Sequence, residues 1–176
     1  ENIAVSEANV ATVSGVEALW QNPAGIATLE GGMQGIASTM SYIADINVVN
    51  FGLLMNVGNI GTFGVNMKTL DFGDIPITTA AEPEGTGNSF SPNYMTLGAT
   101  YAKSFSDRVK FGVNFKLVTE KIMNTSATGM AVDLGVQYTF ADMPLHIGVA
   151  LKNLGSRMQF NGTDLEMTVD LAGVET

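Results

Sequence analysis

Lys116, Asp133 and Lys152 are the charged residues whose spacing points to a joint role. Each occupies a polar position within a run of alternating apolar and polar residues. Centring the hairpin after Leu117 between Asn124 and Thr125 sets Lys116 opposite Asp133. Pairing Phe140 with Leu145 across the following turn sets Asp133 opposite Lys152. Both registers keep apolar residues facing apolar residues, which a slip of one residue would not. The expectation is a Lys116–Asp133–Lys152 row across three neighbouring strands, each opposite-charge pair contributing roughly 0.2–1 kcal/mol. Such a row serves as a structural ladder, the preferred account. Its functional alternative is a site that holds the N-terminal segment or an anionic ligand group.

The other chemical candidates are weaker. His146 is the single histidine. A Ser-His-Asp hydrolase needs a base held by a carboxylate and close to a nucleophile, and the nearby serines have no distinctive spacing. His146 follows a short turn and reads as a rim residue, so no catalytic residue is assigned. One histidine without any cysteine gives no multi-His or thiolate metal site. Asp71, Asp74, Glu82 and Glu84 crowd one loop, but their spacing does not match a calcium-binding EF-hand loop. Gly58, Gly61 and Gly64 would need a following helix to cradle phosphate; a strand pattern follows, which makes them turn residues. Asn124-Thr125-Ser126 and Asn161-Gly162-Thr163 match glycosylation acceptors and are more simply turns. No cofactor is implied.

The elements that carry these residues are legible in the composition. Of 176 residues, 45% are hydrophobic and 14% charged, against roughly 25% charged in an ordinary soluble domain. The 20 glycines and the scarcity of charge suit β structure or a membrane protein. No apolar run reaches the ~18 residues of a membrane-crossing helix. If the chain enters a bilayer, it must do so as a closed barrel, because only helices and closed barrels satisfy every backbone polar group in lipid. No signal peptide is visible at Glu1, which reads as a mature chain. The net charge of −9, with 8 basic residues and no basic cluster, makes nucleic acid an unsuitable partner.

From Met33 onward, about ten alternating residues and then a turn repeat along the chain. Clean segments run over 49–57, 62–68, 95–101, 109–117, 129–140 and 145–152. Val, Phe, Leu and Met on one side alternate with Gly, Asn, Thr, Lys and Asp on the other. Period two means strands with one apolar and one polar or small face. A length of about 9–11 residues is what crosses a bilayer at a tilt, longer than the ~5–6 of an average strand. Turns over 57–61, 105–109 and 140–145 are tight. Connections over 70–92 and 154–165 are long, and one over 119–128 is medium. Short turns on one side and longer loops on the other is the arrangement of outer-membrane barrels. Tyr101, Phe105, Tyr138 and Phe140 near the short turns suit an aromatic girdle. Met55, Met67, Met95 and Met130 fall on the outward face, in contact with lipid or as a soft surface for partner barrels or cargo. A first strand over about Met33–Ile43 and a last over about Leu165–Leu171 give seven full strands and part of an eighth. The simplest inference is the N-terminal half of a larger barrel; a complete eight-stranded barrel is the other reading.

Residues 1–30 differ from the rest. They are rich in Ala and Val, lack Lys and Arg, and contain Asn22-Pro23-Ala24-Gly25. One or two helical turns fit Val13–Trp20, stopped by Pro23, since the residue before proline is disfavoured in the helical region. Trp20 favours packing over fraying, so the segment is expected to tuck inside the barrel as a plug.

An Ala-rich segment ending in Asn22-Pro23-Ala24-Gly25 and followed at once by a barrel resembles the FadL-like superfamily of outer-membrane proteins. Gly112-Val113-Asn114-Phe115-Lys116, Thr119-Glu120-Lys121, Ala127-Thr128-Gly129, Asp133-Leu134-Gly135 and Lys152-Asn153-Leu154-Gly155 look more like one branch, the PorV/PorQ family. The resemblance implies an all-β antiparallel transmembrane β-barrel of about 14 strands. Residues 1–30 would then be the plug, and residues 31–176 the first half of the barrel, with 7–8 strands. It implies a bacterial outer-membrane protein that works with the type IX secretion system, with lipid, secreted cargo proteins and other secretion components as partners. The FadL branch instead takes up long-chain fatty acids or other hydrophobic molecules. The polar inner face favours the former.

Overall fold

Alternation of apolar and small or polar residues sets the architecture. The computed structural model describes residues 8–43 and 46–165. Seven long strands form one antiparallel sheet: β1 (Met33–Ser41), β2 (Asn47–Asn56), β3 (Thr62–Asp71), β6 (Asn93–Ser104), β7 (Val109–Ile122), β8 (Thr125–Thr139) and β9 (His146–Gly155). They pair in chain order from β1 to β9. Between β3 and β6, the two-residue strands β4 (Ile75–Pro76) and β5 (Ser89–Phe90) form a separate hairpin inside the long loop. A short β10 (Asn161–Gly162) pairs with the start of β8. Among the described residues, β1 and β9 do not pair with each other, so the sheet is open. The expected strand over 165–171 lies outside the described residues, apart from Leu165, which ends a short 3-10 turn.

One connection differs from expectation. The β7–β8 loop is not medium in length: Ile122 pairs with Thr125, and only Met123 and Asn124 turn the chain. Met123 takes a positive φ of 53°, a conformation for which two-residue hairpin loops prefer glycine, asparagine or aspartate. The Thr125 hydroxyl donates to the Ile122 carbonyl at 2.8 Å and closes the turn. The sequence shows no glycine there, so Asn124-Thr125 looked like the turn centre.

The two faces of the sheet have opposite environments. One carries cross-strand apolar rows, such as Ala37, Phe51, Met67, Leu97, Leu117 and Met130 on successive strands. This face is open: Met130 is 71% exposed, Val149 63% and Phe115 60%. The other face, built mainly from Gly, Asn, Thr, Gln and Asp, is buried where residues 8–29 lie on it, as at Gly52, Gly64, Gly112 and Gly135. The apolar core therefore lies between this N-terminal segment and the inner face. It comprises Val13, Val16, Ala18, Leu19 and Ile26 with Leu54 and Ala102 from the sheet.

Candidate functional site

The N-terminal segment, which lies over the small and polar face of the sheet as a plug would, consists of two 3-10 turns, Gly15–Trp20 and Pro23–Thr28. The sequence suggested that proline would end the first turn. The first turn does end at Trp20, with Asn22 extended before the proline, and Pro23 also opens the second, where its missing N–H leaves nothing unsatisfied. Asn22-Pro23-Ala24-Gly25 is wholly buried. The Asn22 side-chain oxygen accepts from the Ala24 N–H at 3.1 Å and caps the second turn. Its amide nitrogen donates to the Val10 carbonyl at 2.9 Å and to the Val136 carbonyl of β8 at 3.2 Å. One fully buried side chain thus ties the plug to itself and to the sheet.

The sheet receives this motif where it lacks side chains. A Cβ at Gly112 would overlap the backbone of Pro23 and Ala24, and one at Gly135 would overlap the Asn22 side-chain oxygen. Gly112 and Gly135 are direct partners on β7 and β8, which makes a flat bed two strands wide. Leu19 also lies against Gly52 and Gly64 on β2 and β3, less tightly, and Ala11 against Gly148 on β9. The glycines read in the sequence as a mild second face are a seat shaped for the plug.

Five strands also hold the plug by side-chain hydrogen bonds. Gln34 on β1 accepts from the Val16 N–H at 3.1 Å, and Asn56 on β2 donates to the Leu29 carbonyl at 2.8 Å. Ser104 on β6 donates to the Ala27 carbonyl at 3.4 Å. Gln137 on β8 donates to the Val10 and Val13 carbonyls at 3.1 and 2.9 Å. Lys152 on β9 donates to the Trp20 carbonyl at 2.8 Å.

The expected charge row is present in altered form. Lys116 and Asp133 share the inner face and form an ion pair at 2.7 Å, their side chains 11% and 5% exposed. They are not directly opposite. The two-residue turn moves the β7–β8 register by two, so Lys116 faces Ala131 and Asn114 faces Asp133. A shift of two preserves the face, and the long lysine reaches its partner diagonally. Lys152 departs further. A bulge sets Lys152 and Asn153 together against Asp133, between the pairs Val132–Leu154 and Leu134–Leu151. Asn153 adopts a φ of 61°, tolerable for asparagine, and its N–H donates to Asp133 at 2.7 Å. The carboxylate thus takes the place of a ladder acceptor at the bulge. Lys152 is left to bond the plug rather than Asp133.

The sequence reading missed the neutral members of this cluster. Asn114 donates to Asp133 at 3.4 Å, Thr100 donates to Asn114 at 3.0 Å, and Asn66 donates to Thr100 at 3.5 Å. Lys116 also donates to the Asn153 side-chain oxygen at 2.5 Å. A hydrogen-bonded row therefore crosses from β3 to β9 on the buried face. Its signal was available as Asn66, Thr100 and Asn114 at polar positions of successive strands, but amides and hydroxyls at such positions are common on any sheet.

Above the plug, this row borders a cavity of about 580 Å³. Its floor is Glu17, Leu19, Trp20 and Gln21, and its walls include Lys68, Lys116, Lys152 and Asp133. His146 stands apart, at the start of β9, with Nδ1 3.2 Å from the Thr139 hydroxyl. In the long loop, Asp71 accepts from the Gly73 N–H at 3.0 Å and Asp74 accepts from the Ser91 hydroxyl. Gly58–Ile60 forms a 3-10 turn before β3, as a turn run should. Comparison with known protein families and with characterised proteins finds no match for the chain.

Proposed function

We propose that this chain is part of the wall and the plug of a bacterial outer-membrane β-barrel of the PorV/PorQ type. In this reading it serves type IX secretion by holding or passing on secreted cargo at the cell surface. One observation carries the reading: the apolar side chains of the sheet are exposed while the polar ones are buried. A water-soluble sheet buries the opposite face, and contiguous exposed apolar surface of this extent marks contact with a membrane or a protein. Hydrocarbon around the outside and an enclosed polar interior account for both faces at once.

Further details support a spanning wall. Phe63 with Tyr101 (5.1 Å between ring centres) and Tyr138 with Phe140 (4.8 Å) lie towards the short-turn end. Phe72 with Tyr94 (4.9 Å) lies towards the other end. Aromatic pairs at both ends of the strands suit the two interfaces of a bilayer. A plug fixed from five strands suits a barrel that does not freely conduct, which favours work at the rim. The long loop carrying β4 and β5, with Asp74, Glu82 and Glu84, then offers the surface for a protein partner. Fatty-acid uptake needs an apolar passage, and the cavity walls of Ser38, Asn50, Asn66 and Asn114 suit that less well.

Purification from detergent-solubilised outer membranes tests the proposal. The expected result is a heat-modifiable band on gels, with cargo proteins that share a C-terminal domain in the same fraction. Bound fatty acid without such cargo would favour uptake. A monodisperse protein in water without detergent would defeat the membrane assignment.

A further inference from the structure

We propose that the three short turns, over 57–61, 105–109 and 140–145, sit in the headgroup layer of a phospholipid leaflet, where Lys103 pairs with lipid phosphate. The inference rests on the membrane reading of the sheet and adds which end of the strands meets phospholipid headgroups, and through which residues. Towards the long-loop end the outer face turns polar: Asn47, Asp71, Asn93, Lys121 and Ser126 are paired neighbours on β2, β3, β6, β7 and β8. Towards the short turns it stays apolar, and apolar residues continue into the turns themselves. Ile60 is 57% exposed, Phe105 70% and Met143 52%, one in each turn. Turns that stand in water are dominated by Gly, Pro, Asn, Asp and Ser, so a large exposed apolar residue in all three calls for a surface to receive it.

The length of the apolar face decides between turns in water and turns at the membrane. On β7 the outward apolar residues run from Val109 to Leu117, and Thr119 and Lys121 follow. At ~3.3 Å per residue that run is about 26 Å long, or about 19–22 Å across a bilayer at a tilt of ~35–45°. The apolar band of such a barrel is about 25 Å tall. With one limit at Leu117, the hydrocarbon therefore extends about 3–6 Å past Val109. Phe105 lies level with Val109, to whose carbonyl its N–H donates at 2.9 Å, and only Ser106, Asp107 and Arg108 lie beyond. The turn thus falls at the edge of the hydrocarbon.

Lys103 is the second observation. Between the polar positions and the short turns it is the only charged residue at an outward strand position, opposite Phe111. Its ammonium has no hydrogen-bond or ion-pair partner among the described residues. A lysine on the hydrocarbon side of a wall lays its apolar stem along the surface and puts its charge among the headgroups. The anion at that depth is lipid phosphate. Arg108 and Lys110 stand at the same turn, and Glu30, Asp107 and Asp142 are the carboxylates at this end. The opposite end, with Asp71, Asp74, Glu82, Glu84 and Glu120, is more acidic and less suited to an anionic leaflet.

The chain has no cysteine, so a single introduced cysteine carries a fluorescent label at one known place. The full chain is labelled in Ile60→Cys, Phe105→Cys, Met143→Cys and, on the polar side, Asn93→Cys, and refolded into vesicles of phosphatidylcholine and phosphatidylglycerol. The three turn labels should be quenched by lipids with a nitroxide near the headgroup and shielded from aqueous iodide, while the Asn93→Cys label stays open to iodide. Spin-labelled phosphatidylglycerol should associate with the parent in preference to spin-labelled phosphatidylcholine. Lys103→Gln should reduce that preference about fivefold, the effect of one basic residue at an anionic surface. Resistance of the strands to added protease reads insertion separately. A sheet that inserts with its turn labels open to iodide overturns the inference and leaves the membrane reading standing, and so does a Lys103→Gln protein with unchanged lipid preference. Labels shielded from iodide but untouched by the lipid nitroxides overturn it too, since a protein contact, a second copy included, would then cover the turns. A chain that does not insert ends both.

Discussion

Replacing Asp133 with alanine tests the buried cluster most directly. The carboxylate accepts from Lys116 and from the Asn153 N–H, both at 2.7 Å, and from Asn114 at 3.4 Å. The first two are short and charge-assisted; the third is long and weak. Removing one member of a buried ion pair costs about 3–5 kcal/mol, because the partner charge stays buried and unpaired. Lys116 keeps its bond to the Asn153 side chain and is 11% exposed, which places the loss at the lower end. The Asn153 N–H, left without its acceptor at the bulge, adds a penalty of about 1 kcal/mol. Asp133→Ala should therefore lower unfolding free energy by about 3–4 kcal/mol, read by urea titration of protein refolded into vesicles. Lys116→Met combined with Asp133→Leu should recover much of the loss, since an apolar pair of similar volume often replaces a buried ion pair without penalty. A single variant within about 0.5 kcal/mol of the parent, the size of an ordinary surface substitution, would refute this account. So would a double variant no better than Asp133→Ala.

Other positions give separate tests. Gly135→Ala should unseat the Asn22-Pro23 motif at a cost of about 1–3 kcal/mol, seen as a red shift of Trp20 emission and faster cleavage of the plug by added protease. Asn22→Ala should lower stability by about 2 kcal/mol through lost capping and lost bonds to Val10 and Val136, with the same fluorescence signature. Met123→Gly should stabilise the β7–β8 turn by about 1 kcal/mol, since it removes a side chain from a left-handed conformation; an unchanged urea midpoint would count against that turn geometry. Val149→Lys on the outer face should cost about 2–4 kcal/mol in vesicles if it sits near mid-bilayer. The same change on a solvated sheet would be near neutral.

How much of this could be read from the sequence depends on which physical signal is periodic. Alternation fixed which residues share a face, and Lys116 and Asp133 do so because a register change of two leaves parity intact. Pairing partners depend on the turn, and here the turn is made by Met123 at a positive φ, a residue type that gives no turn signal. Lys152 was lost to the row for a related reason. An extra residue in β9 is invisible to alternation until backbone geometry inserts it, and the compensating contact is the Asn153 N–H on Asp133. The plug motif was legible as a segment without Lys or Arg, but its seat was not. A glycine on a strand reads as a weak strand residue until something is found lying on it.

The same glycines explain why the two faces differ so sharply. A sheet that must hold a folded segment against its backbone gives up side chains at Gly52, Gly64, Gly112, Gly135 and Gly148. It then has few inward apolar groups from which to build a core, and Leu54 and Ala102 are its main contributions. Burial of the inner face consequently rests on the plug's own Val13, Val16, Leu19 and Ile26, on hydrogen bonds from Gln34, Asn56, Gln137 and Lys152, and on the Asp133 cluster. Most of the sheet's large apolar side chains are on the opposite face, where Phe51, Val65, Phe115, Met130 and Val149 are exposed. The fold is thus divided between an interior that specifies where the plug sits and an exterior that specifies what surrounds the sheet. Disturbing the plug through Gly135 and disturbing the surroundings through Val149 should therefore be independent. Their combined effect on stability should equal the sum of the two within about 0.5 kcal/mol, the tolerance for well-separated sites.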